Sequence, residues 1–264
     1  MTDPARDDRE GDELLQAVAE VARLAGAVAL GHWRSDLAVE WKGDGSPVTR
    51  ADREAEQIAR EWIGRHYPDD GILGEELGEA AGSSGRRWIL DPIDGTNSFV
   101  RGVPLWGTLV AVARGEDVLA GAAFFPAVNE LLAAAPGAGC WHDGRRSRVS
   151  AVASLSEATL LTTAIPEADP PDRLARLLAS AGIARTWGDC YGYLLVATGR
   201  AEAMVDLRMG DWDSACLLPI IEEAGGVFTD LTGRRTAFGG SAVATNAALA
   251  VAVRDALVRP GTIE

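Results

Sequence analysis

Lysine is nearly absent from this sequence of 264 residues. Lys42 is the only one, and the other 24 of the 25 basic residues are arginines, against 39 aspartates and glutamates. The formal net charge of −14 argues against binding along a phosphate backbone, because nucleic-acid affinity depends on a net basic face. We therefore expect no nucleic-acid partner.

Cysteine is also scarce, with Cys140, Cys190 and Cys216 as its three instances. Their odd number and the lack of a Cys-x-x-Cys pair exclude a disulfide framework and a zinc knuckle, and favour a reducing compartment. No apolar run approaches the roughly 20 residues that cross a bilayer. The acidic start, MTDPARDDREGDELL, is unlike a secretory signal or a transit peptide. We expect a cytoplasmic protein that does not enter a membrane.

What the sequence does contain is a large apolar fraction, 47% of positions, arranged in periodic patterns. Apolar residues at three- to five-residue steps predict a helix from Leu14 to Trp33. A second helix is predicted to begin after Thr49, with Asp52 completing a near capping box, and to end before Pro68. Such a composition is typical of a globular protein with a sizeable core.

The rest of the chain is predicted to pass from a β-rich region into alternating strands and helices. The β-rich strands are Trp88–Leu90, Thr108–Ala113, Val118–Phe125 and Glu130–Ala135, with a hairpin at Asp143-Gly144. The later strands are Thr159–Thr163, Ala184–Trp187, Ala203–Asp206 and Ala242–Ala244, and the later helices are Pro171–Ala181, Asp189–Thr198, Asp211–Ala224 and Ala247–Val258. These patterns predict stacked layers of helix and sheet in one domain over 1–264, with two lobes, about 10–150 and 151–260.

The most informative segment is Trp88-Ile-Leu-Asp-Pro-Ile-Asp-Gly-Thr96. It predicts a strand that ends at Asp91 and enters a tight turn with a second carboxylate, Asp94. Two carboxylates at a strand end can share divalent cations, and Gly95 lets the backbone approach a ligand closely. The exposed amides of Gly95 and Thr96 would suit a phosphate oxygen. A surface turn built from Asp, Pro and Gly is the alternative.

Three further carboxylates stand in unusual settings. Glu75 follows an apolar pair at a predicted strand end, and Asp52 and Asp213 lie on the inward stripes of their helices. Carboxylates on buried stripes need partners, and shared metal ions would supply them. For the two helical residues, capping of the helix N-terminus is an equal alternative.

These residues resemble the lithium-sensitive, magnesium-dependent phosphomonoesterases of the inositol monophosphatase family. Two signatures carry the resemblance: WILDPIDGTNSF, over 88–99, and WDSACLLPIIEEAGG, over 212–226. The similarity extends over almost the whole chain. It implies the family fold, an α+β layered α/β/α/β/α sandwich, and a phosphoric monoester hydrolase with two or three Mg²⁺ ions per subunit.

Carried over by position, the resemblance implies a metal-ligand set. The first ion would take Glu75, Asp91 and the backbone carbonyl of Ile93. The second would take Asp91, Asp94 and Asp213, and a third, weaker ion would lie near Glu75. These ions would lower the pKa of an attacking water and neutralise the phosphate.

The resemblance also implies catalytic and phosphate-contacting roles. Thr96 would activate the water together with Glu75, and Asp52 would orient the Thr96 hydroxyl. Lys42 would place a positive charge near the phosphate from a mobile loop. Ile93, Asp94, Gly95, Thr96 and Asp213 complete the predicted contacts with the phosphate ester.

Within the family, three segments resemble the bacterial histidinol-phosphatase branch: 42–52, 102–108 and 188–199. Histidinol carries an amine and an imidazole, which an acidic pocket with Asp189 and Asp206 would suit. Arg185 either shapes that pocket or forms a salt bridge at a subunit contact. The expected reaction is hydrolysis of L-histidinol phosphate, a step of histidine biosynthesis. Inositol 1-phosphate, or another small phosphomonoester, is the alternative substrate.

Other mechanisms fit the sequence less well. A covalent-aspartate phosphatase of the haloacid-dehalogenase type needs a nucleophilic Asp where Pro92 stands. A cysteine phosphatase at Cys140 would place Asp143 against the substrate phosphate. A non-catalytic module binding Ca²⁺ or Mg²⁺ is the alternative from another functional class, although Ile93 breaks the EF-hand pattern.

Family members are usually homodimers, so a homodimer is expected. The apolar segment 106–135 offers interface surface, but a sheet buried inside one chain would give the same pattern.

Overall fold

The structure is a computed structural model that describes residues 4–43, 45–164 and 171–258. Asp44, in the predicted lysine loop, lies outside the described residues. The helices are α1 (Pro4–His32), α2 (Arg50–His66), α3 (Thr96–Val100), α4 (Pro171–Ala179), α5 (Asp189–Ala197), α6 (Asp211–Ser214), α7 (Leu217–Glu223) and α8 (Ala250–Val258), with a 3₁₀ turn at Leu155–Glu157.

The strands form three sheets. They are β1 (Glu40–Trp41), β2 (Pro47–Val48), β3 (Gly71–Gly74), β4 (Gly78–Ala80), β5 (Arg87–Asp94), β6 (Gly107–Arg114), β7 (Asp117–Phe125), β8 (Glu130–Ala135), β9 (Gly139–His142), β10 (Arg145–Arg146), β11 (Thr159–Leu161), β12 (Ile183–Arg185), β13 (Ala203–Asp206), β14 (Gly226–Thr229) and β15 (Ala242–Asn246). The large sheet has the order β10-β9-β8-β7-β6-β5-β3-β4, and the second has β12-β11-β13-β15-β14. Strands β1 and β2 pair alone.

Three hydrophobic clusters define five layers. The first lies between α1 and α2 and one face of the large sheet. The second fills the space between the other face of that sheet, helices α5 to α7 and the second sheet. The third lies between the outer face of the second sheet and helices α4 and α8. The predicted α/β/α/β/α sandwich is therefore confirmed.

Strand β6 shows why the large sheet occupies the interior. Its successive side chains point to opposite faces. Leu109 and Ala111 pack in the cluster shared with α5 to α7, whereas Val110 and Val112 pack under α1 and α2. A strand buried on both faces must be apolar throughout, so it loses the alternation of polar and apolar residues.

The sheet also brings the acidic residues together. Strands β3 and β5 are parallel, so Glu75, just after β3, and Asp91, within β5, lie at the same edge. The pairing of β5 with β6 shifts register between Asp91 and Asp94, which re-aims the end of the strand. Gly95 then takes a positive φ of 82° and begins α3. A side chain there would be strained.

One predicted helix is divided in two. The sequence predicts a single helix over Asp211–Ala224, whereas α6 ends at Ser214 and α7 begins at Leu217. Pro219 explains the break, because it has no amide hydrogen to donate four residues back, to the Ala215 carbonyl.

Helix α1 corrects the expectation about apolar runs. By length and composition alone, Glu10–His32 would suffice to cross a membrane. Its many alanines give this result, although polar residues interrupt any continuous run. In this structure Leu14, Val18 and Val21 are at most 1% exposed and pack on the large sheet, as in the core helix of a globular protein.

The apolar segment 106–135 supplies the interior of this one chain. Its strands β6, β7 and β8 are covered on one face by α1 and on the other by α6 and α7. The apolar pattern of this segment is therefore explained by a sheet buried inside one chain. The homodimer stays a prediction.

Two glycines test this packing. A Cβ at Gly121 in β7 would lie 2.6 Å from the backbone oxygen of Cys216, whereas one at Gly64 in α2 meets no atom within 4 Å. We expect Gly121→Ala to lower the free energy of unfolding by ~1–3 kcal/mol through overpacking. Gly64→Ala should raise it by ~0.5–1 kcal/mol. Urea unfolding measures both, and equal effects would contradict this account of the layer contact.

Candidate active site

A cleft of about 150 Å³ opens where β5 enters α3. Most of the residues that line it are polar or acidic. They are Ser46, Pro47, Glu75, Asp91, Ile93, Asp94, Gly95, Thr96, Asn97, Asp189 and Asp213. The structure therefore brings the predicted metal ligands into one cavity, although the chain segments that carry them lie far apart in sequence.

Three carboxylates converge at the floor of this cleft. Asp91, Asp94 and Asp213 each offer an oxygen, and these oxygens lie within 4.8 Å of one another. Backbone amides hold each carboxylate: Ile93 N donates to Asp91 Oδ1 at 2.9 Å, Cys190 N donates to Asp94 Oδ2, and Gly210 N donates to Asp213 Oδ2 at 2.7 Å.

The pKa values of these groups are all displaced upward. Burial raises the pKa of Asp91 well above its ordinary value, and the charges of the neighbouring carboxylates raise it further. Burial and the nearby Asp189 and Asp213 carboxylates do the same to Asp94. Burial also raises the pKa of Asp213, although its bond from the Gly210 amide opposes the change. Among the described residues that line the cleft there is no basic side chain.

Among the described residues, Lys42 supplies the one ammonium group that meets the acidic residues. Its Nζ lies 2.6 Å from Glu75 Oε1 and 2.7 Å from Glu76 Oε1. Burial lowers the Lys42 pKa, but the hydrogen bonds and charges of the two glutamates outweigh this and raise it above its ordinary value. Burial raises the pKa of Glu75, against the effect of Lys42. Glu76, which sequence reasoning missed, is thus the second partner of this lysine.

Thr96 and Asp52 are not paired as the resemblance implies. Thr96 Oγ1 donates to the Ile93 carbonyl at 2.9 Å. Asp52 Oδ2 instead accepts from Thr49 N and Thr49 Oγ1, at 2.8 and 2.6 Å. Thr49 and Asp52 thus complete the capping box that the sequence predicts at the start of α2. Burial raises the pKa of Asp52 to about 6.

Asp189 faces the metal-side carboxylates from the opposite wall. It begins α5 with a positive φ of 49°, and its amide donates to Thr163 Oγ1 at 2.8 Å. A Cβ at Gly95 would lie 3.1 Å from Asp189 Oδ2, so the glycine makes room for this carboxylate. Burial, Asp206 and Asp213 raise the pKa of Asp189 to about 7.

Asp206 lies behind this wall and does not line the cleft. It is buried, accepting from the Tyr193 hydroxyl at 2.9 Å and from Thr163 N at 3.2 Å. Both carboxylate oxygens are therefore engaged by the protein, which corrects the expectation that Asp206 contacts substrate directly. Thr163 bonds both Asp206 and Asp189, and so connects the two acids.

Arg185 is also outside the cleft. It lies exposed on β12, an edge strand, where Nη1 donates to the Ala184 carbonyl and the guanidinium lies 5.9 Å from the Trp187 ring centre. The expectation that it shapes the substrate pocket is not met within this chain. Its position at an edge strand fits the alternative of a subunit contact.

Several lining residues escaped sequence reasoning. Ser46 and Pro47 reach the cleft from the turn between β1 and β2, and Asn97 reaches it from α3. The available signal was that these residues lie close in sequence to the lysine loop or to the Asp-Gly-Thr signature. The Cys190 amide had none, because a backbone donor leaves no mark in the sequence.

The cysteine mechanism finds no support in the structure. Cys140 is buried, and burial raises the pKa of its thiol to about 12, so the nucleophilic thiolate is scarce at neutral pH. Asp143 occupies the β9–β10 turn, where its carboxylate accepts from Leu131 N at 3.0 Å. The hairpin prediction is confirmed.

Comparison with known proteins agrees with this geometry. A statistical model of the inositol monophosphatase family matches residues 10–258. The chain belongs to the inositol monophosphatase family. It is a phosphoric monoester hydrolase, and the acidic cleft is the place in this family fold where a metal ion could bind.

Named relatives differ in the substrate that their names state. The chain is 45% identical over 230 residues to a histidinol-phosphatase of Chlorobaculum parvum, covering 86% of this chain and 89% of that protein. It is 36% identical over 234 residues to an inositol-1-monophosphatase of Rhizobium meliloti, covering 85% and 88%. Among solved structures, the extragenic suppressor protein suhB of Bartonella henselae matches with a TM-score of 0.88 and 28% identity, covering 94% and 100%.

The raised pKa values predict how stability changes with pH. A carboxyl group with a higher pKa in the folded chain holds its proton better when folded, so stability falls as pH rises between the unfolded and folded values. For Asp52 and Asp189 that window extends from the ordinary 3.8 to about 6 and about 7. We expect the Tm of protein in EDTA to fall on the order of 5 °C from pH 5 to pH 8.

Saturating Mg²⁺ should reverse most of this loss. Ligand binding to the folded state adds ~2.7 kcal/mol at 100 times Kd, and binding strengthens as the carboxylates deprotonate. Thermal melts at both pH values, with and without Mg²⁺, make the measurement. A Tm in EDTA that stays level or rises with pH would contradict the charge-crowding account.

Proposed function

We propose that this protein is a Mg²⁺-dependent phosphomonoesterase that hydrolyses L-histidinol phosphate to L-histidinol and phosphate. The observation that carries the proposal is the convergence of Asp91, Asp94 and Asp213 in a cleft whose opposite wall is the Asp189 carboxylate. The first feature suits divalent cations, and the second suits a cationic substrate. The 45% identity to a histidinol-phosphatase supports this choice of substrate.

The donor set fits Mg²⁺. The cation prefers carboxylate and carbonyl oxygens, and the cleft offers no other kind of charged donor among its lining residues. In the proposal, Glu75, Asp91 and the Ile93 carbonyl would hold one ion, and Asp91, Asp94 and Asp213 would hold a second. A third ion would bind near Glu75. Bound Mg²⁺ would supply charge neutralisation for the phosphate and a lower pKa for an attacking water.

In the proposal, residues of the chain itself bind that water and accept its proton. Thr96 Oγ1 donates a hydrogen bond to the Ile93 carbonyl, which leaves the oxygen's lone pairs to accept a hydrogen bond in the cleft. Glu75 lines the same cleft and, with its raised pKa, is a suitable base. Asp52 is proposed to act indirectly, by capping α2.

Lys42 and the turn at Gly95 serve the phosphate in this proposal. Lys42 would exchange part of its contact with the glutamates for a phosphate oxygen. The backbone at Ile93, Gly95 and Thr96 bounds the cleft beside the carboxylates, where the ester would lie.

Asp189 is the residue that we propose to recognise the amine or imidazole of histidinol. It is the lining carboxylate on α5, whereas Glu75, Asp91 and Asp94 come from β5 and the end of β3. Hydrogen bonds between charged groups contribute ~1.5–3 kcal/mol, enough to favour a cationic substrate over a neutral polyol. Asp206 supports it from behind, through their shared contact with Thr163.

The alternative in the same class is hydrolysis of inositol 1-phosphate or another small phosphomonoester, favoured by the similarity to an inositol-1-monophosphatase. A non-catalytic divalent-metal module is the alternative from a different class. The proposal also includes a cytoplasmic homodimer, each subunit one domain of two lobes. Three buried free cysteines support the reducing compartment.

Asp94→Asn tests the metal assignment. The change keeps the shape of the side chain but removes a charge that the second ion would require, so we expect kcat to fall by at least ~100-fold with little change in Tm. Release of phosphate measures it. Asp117→Asn, an exposed aspartate at the start of β7, is the matched control and should keep full activity. Near-normal turnover by Asp94→Asn would reject the two-metal site.

Asp189→Asn tests the substrate. Asparagine tolerates the positive φ at this position, so the backbone should be preserved. We expect kcat/KM for histidinol phosphate to fall ~10–100-fold, with a much smaller change for inositol 1-phosphate. Asp143→Asn, with a positive φ of 48° in a distant hairpin, is the control.

Wild-type rates with histidinol phosphate, inositol 1-phosphate, fructose 1,6-bisphosphate and 3′-phosphoadenosine 5′-phosphate complete this test. A preference for inositol 1-phosphate would reject the proposed substrate and retain the enzyme class. Absence of any phosphatase activity would favour the binding module.

A further inference from the structure

Glu56 is a fully buried carboxylate that none of the predicted roles uses. It lies on α2, one turn after Asp52, and is 0% exposed. Its oxygens accept from the backbone amides of Glu76, at 2.8 Å, and Leu77, at 3.2 Å. Arg60 Nε lies 2.7 Å from the same carboxylate and provides its counter-charge.

These bonds fix the turn that follows strand β3. Glu75 is the residue between the strand and the two amides that Glu56 holds. On the other side, the amide of Glu75 itself donates to the Leu90 carbonyl of β5 at 3.2 Å. The backbone at Glu75 is thus held on its N-terminal side by β5 and on its C-terminal side by Glu56.

Gly74 shows how closely the carboxylate fits against this turn. A Cβ at Gly74 would lie 1.9 Å from Glu56 Oε1, so any side chain there would force the Glu56 carboxylate to move. Its φ lies outside the positive range, so backbone freedom does not explain the glycine. The space beside the strand end belongs to Glu56.

Arg60 extends the same clamp to the far end of the turn. One Nη2 hydrogen of Arg60 bonds the Gly78 carbonyl, while Nε bonds Glu56. The pair therefore contacts the turn at residues 76, 77 and 78. Helix α2 thereby controls the direction in which Glu75 enters the cleft.

A purely stabilising role would not need a carboxylate at position 56. Glu56 adds a negative charge beside Glu76, and that charge is among the causes that raise the Glu76 pKa. Burying a carboxylate is costly, and apolar residues of similar volume often stabilise a core as well or better. What a carboxylate alone provides is acceptance of two adjacent amides.

We propose that Glu56 is a positioning residue that sets the orientation of Glu75 as a ligand of the divalent cation, through the amides of Glu76 and Leu77. The inference rests on the proposed function in one respect, the role of Glu75 as a metal ligand. Residues that orient metal ligands contribute ~10–100-fold to metal affinity or activity.

Asp70 offers a matched control at the other end of the same strand. It immediately precedes β3, is 7% exposed, and accepts from Arg86 Nε and from Trp88 Nε1, at 3.1 and 3.0 Å. It is thus another buried carboxylate with an arginine partner beside β3. Its contacts all lie away from the cleft.

The experiment compares Glu56→Ala, Glu56→Gln, Gly74→Ala and Asp70→Ala in the full chain. Calorimetric titration with Mg²⁺ alone gives Kd without substrate, thermal melts give Tm, and phosphate release gives kcat and KM separately. We expect the variants at residues 56 and 74 to weaken Mg²⁺ binding ~10–100-fold and to lower kcat with little change in KM. Glu56→Gln, which keeps one acceptor oxygen, should fall between wild type and Glu56→Ala.

Asp70→Ala should lower Tm at least as much as the variants at residues 56 and 74 do, while leaving the Mg²⁺ Kd unchanged. Wild-type Mg²⁺ affinity in folded Glu56→Gln or Gly74→Ala would overturn the proposal, as would an equal loss of affinity in Asp70→Ala. If Glu56→Ala does not fold, the other two variants decide. A wild-type protein that binds Mg²⁺ but hydrolyses no phosphate ester would reject the proposed function alone.

A double variant isolates the contact between the two residues. Removing the Glu56 side chain also removes the atom that a Gly74 Cβ would meet. The variant Glu56→Ala/Gly74→Ala should therefore bind Mg²⁺ no more weakly than Glu56→Ala by itself. Full additivity of the two changes would contradict the steric link.

Discussion

Repulsion among buried carboxylates is the constraint on which the rest of this structure depends. Asp91 and Asp94 meet Asp213 of α6 with Glu75 nearby, and Lys42, the sole lysine among the described residues, pairs with Glu75. Backbone amides from three separate chain segments lower the cost of this arrangement. The fold holds the charges together, and a divalent cation is what would balance them.

The layered architecture follows from the sequence because it depends on long periodic signals. The boundaries of β8 and β13 match the prediction to the residue, and the capping box at Thr49 could be recognised from two side chains. Strand β4 escaped because its three residues are all exposed and carry no apolar signal, and β14 escaped as well. The break before α7 depends on a single proline.

The candidate site was predictable where side chains carry the chemistry. Asp91, Asp94 and Asp213 were recognised by type and setting, and the structure places them together. Contacts made by backbone atoms, or between side chains of different layers, were not predictable from the sequence. Asp206 has an acidic side chain suited to substrate, yet the Tyr193 hydroxyl and a strand amide engage it. Only the fold decides which acids face the cleft.

The amide of Cys190 has a further consequence, for how such an enzyme can diversify. It joins Asp94, on the metal side, to helix α5, which carries Asp189 on the substrate side. A change that shifts the start of α5 to accept a new substrate also shifts the support of Asp94. An exchange of the side chain at position 189 can therefore alter the proposed substrate contact and leave the Cys190 amide in place, whereas an insertion nearby would displace the support of Asp94.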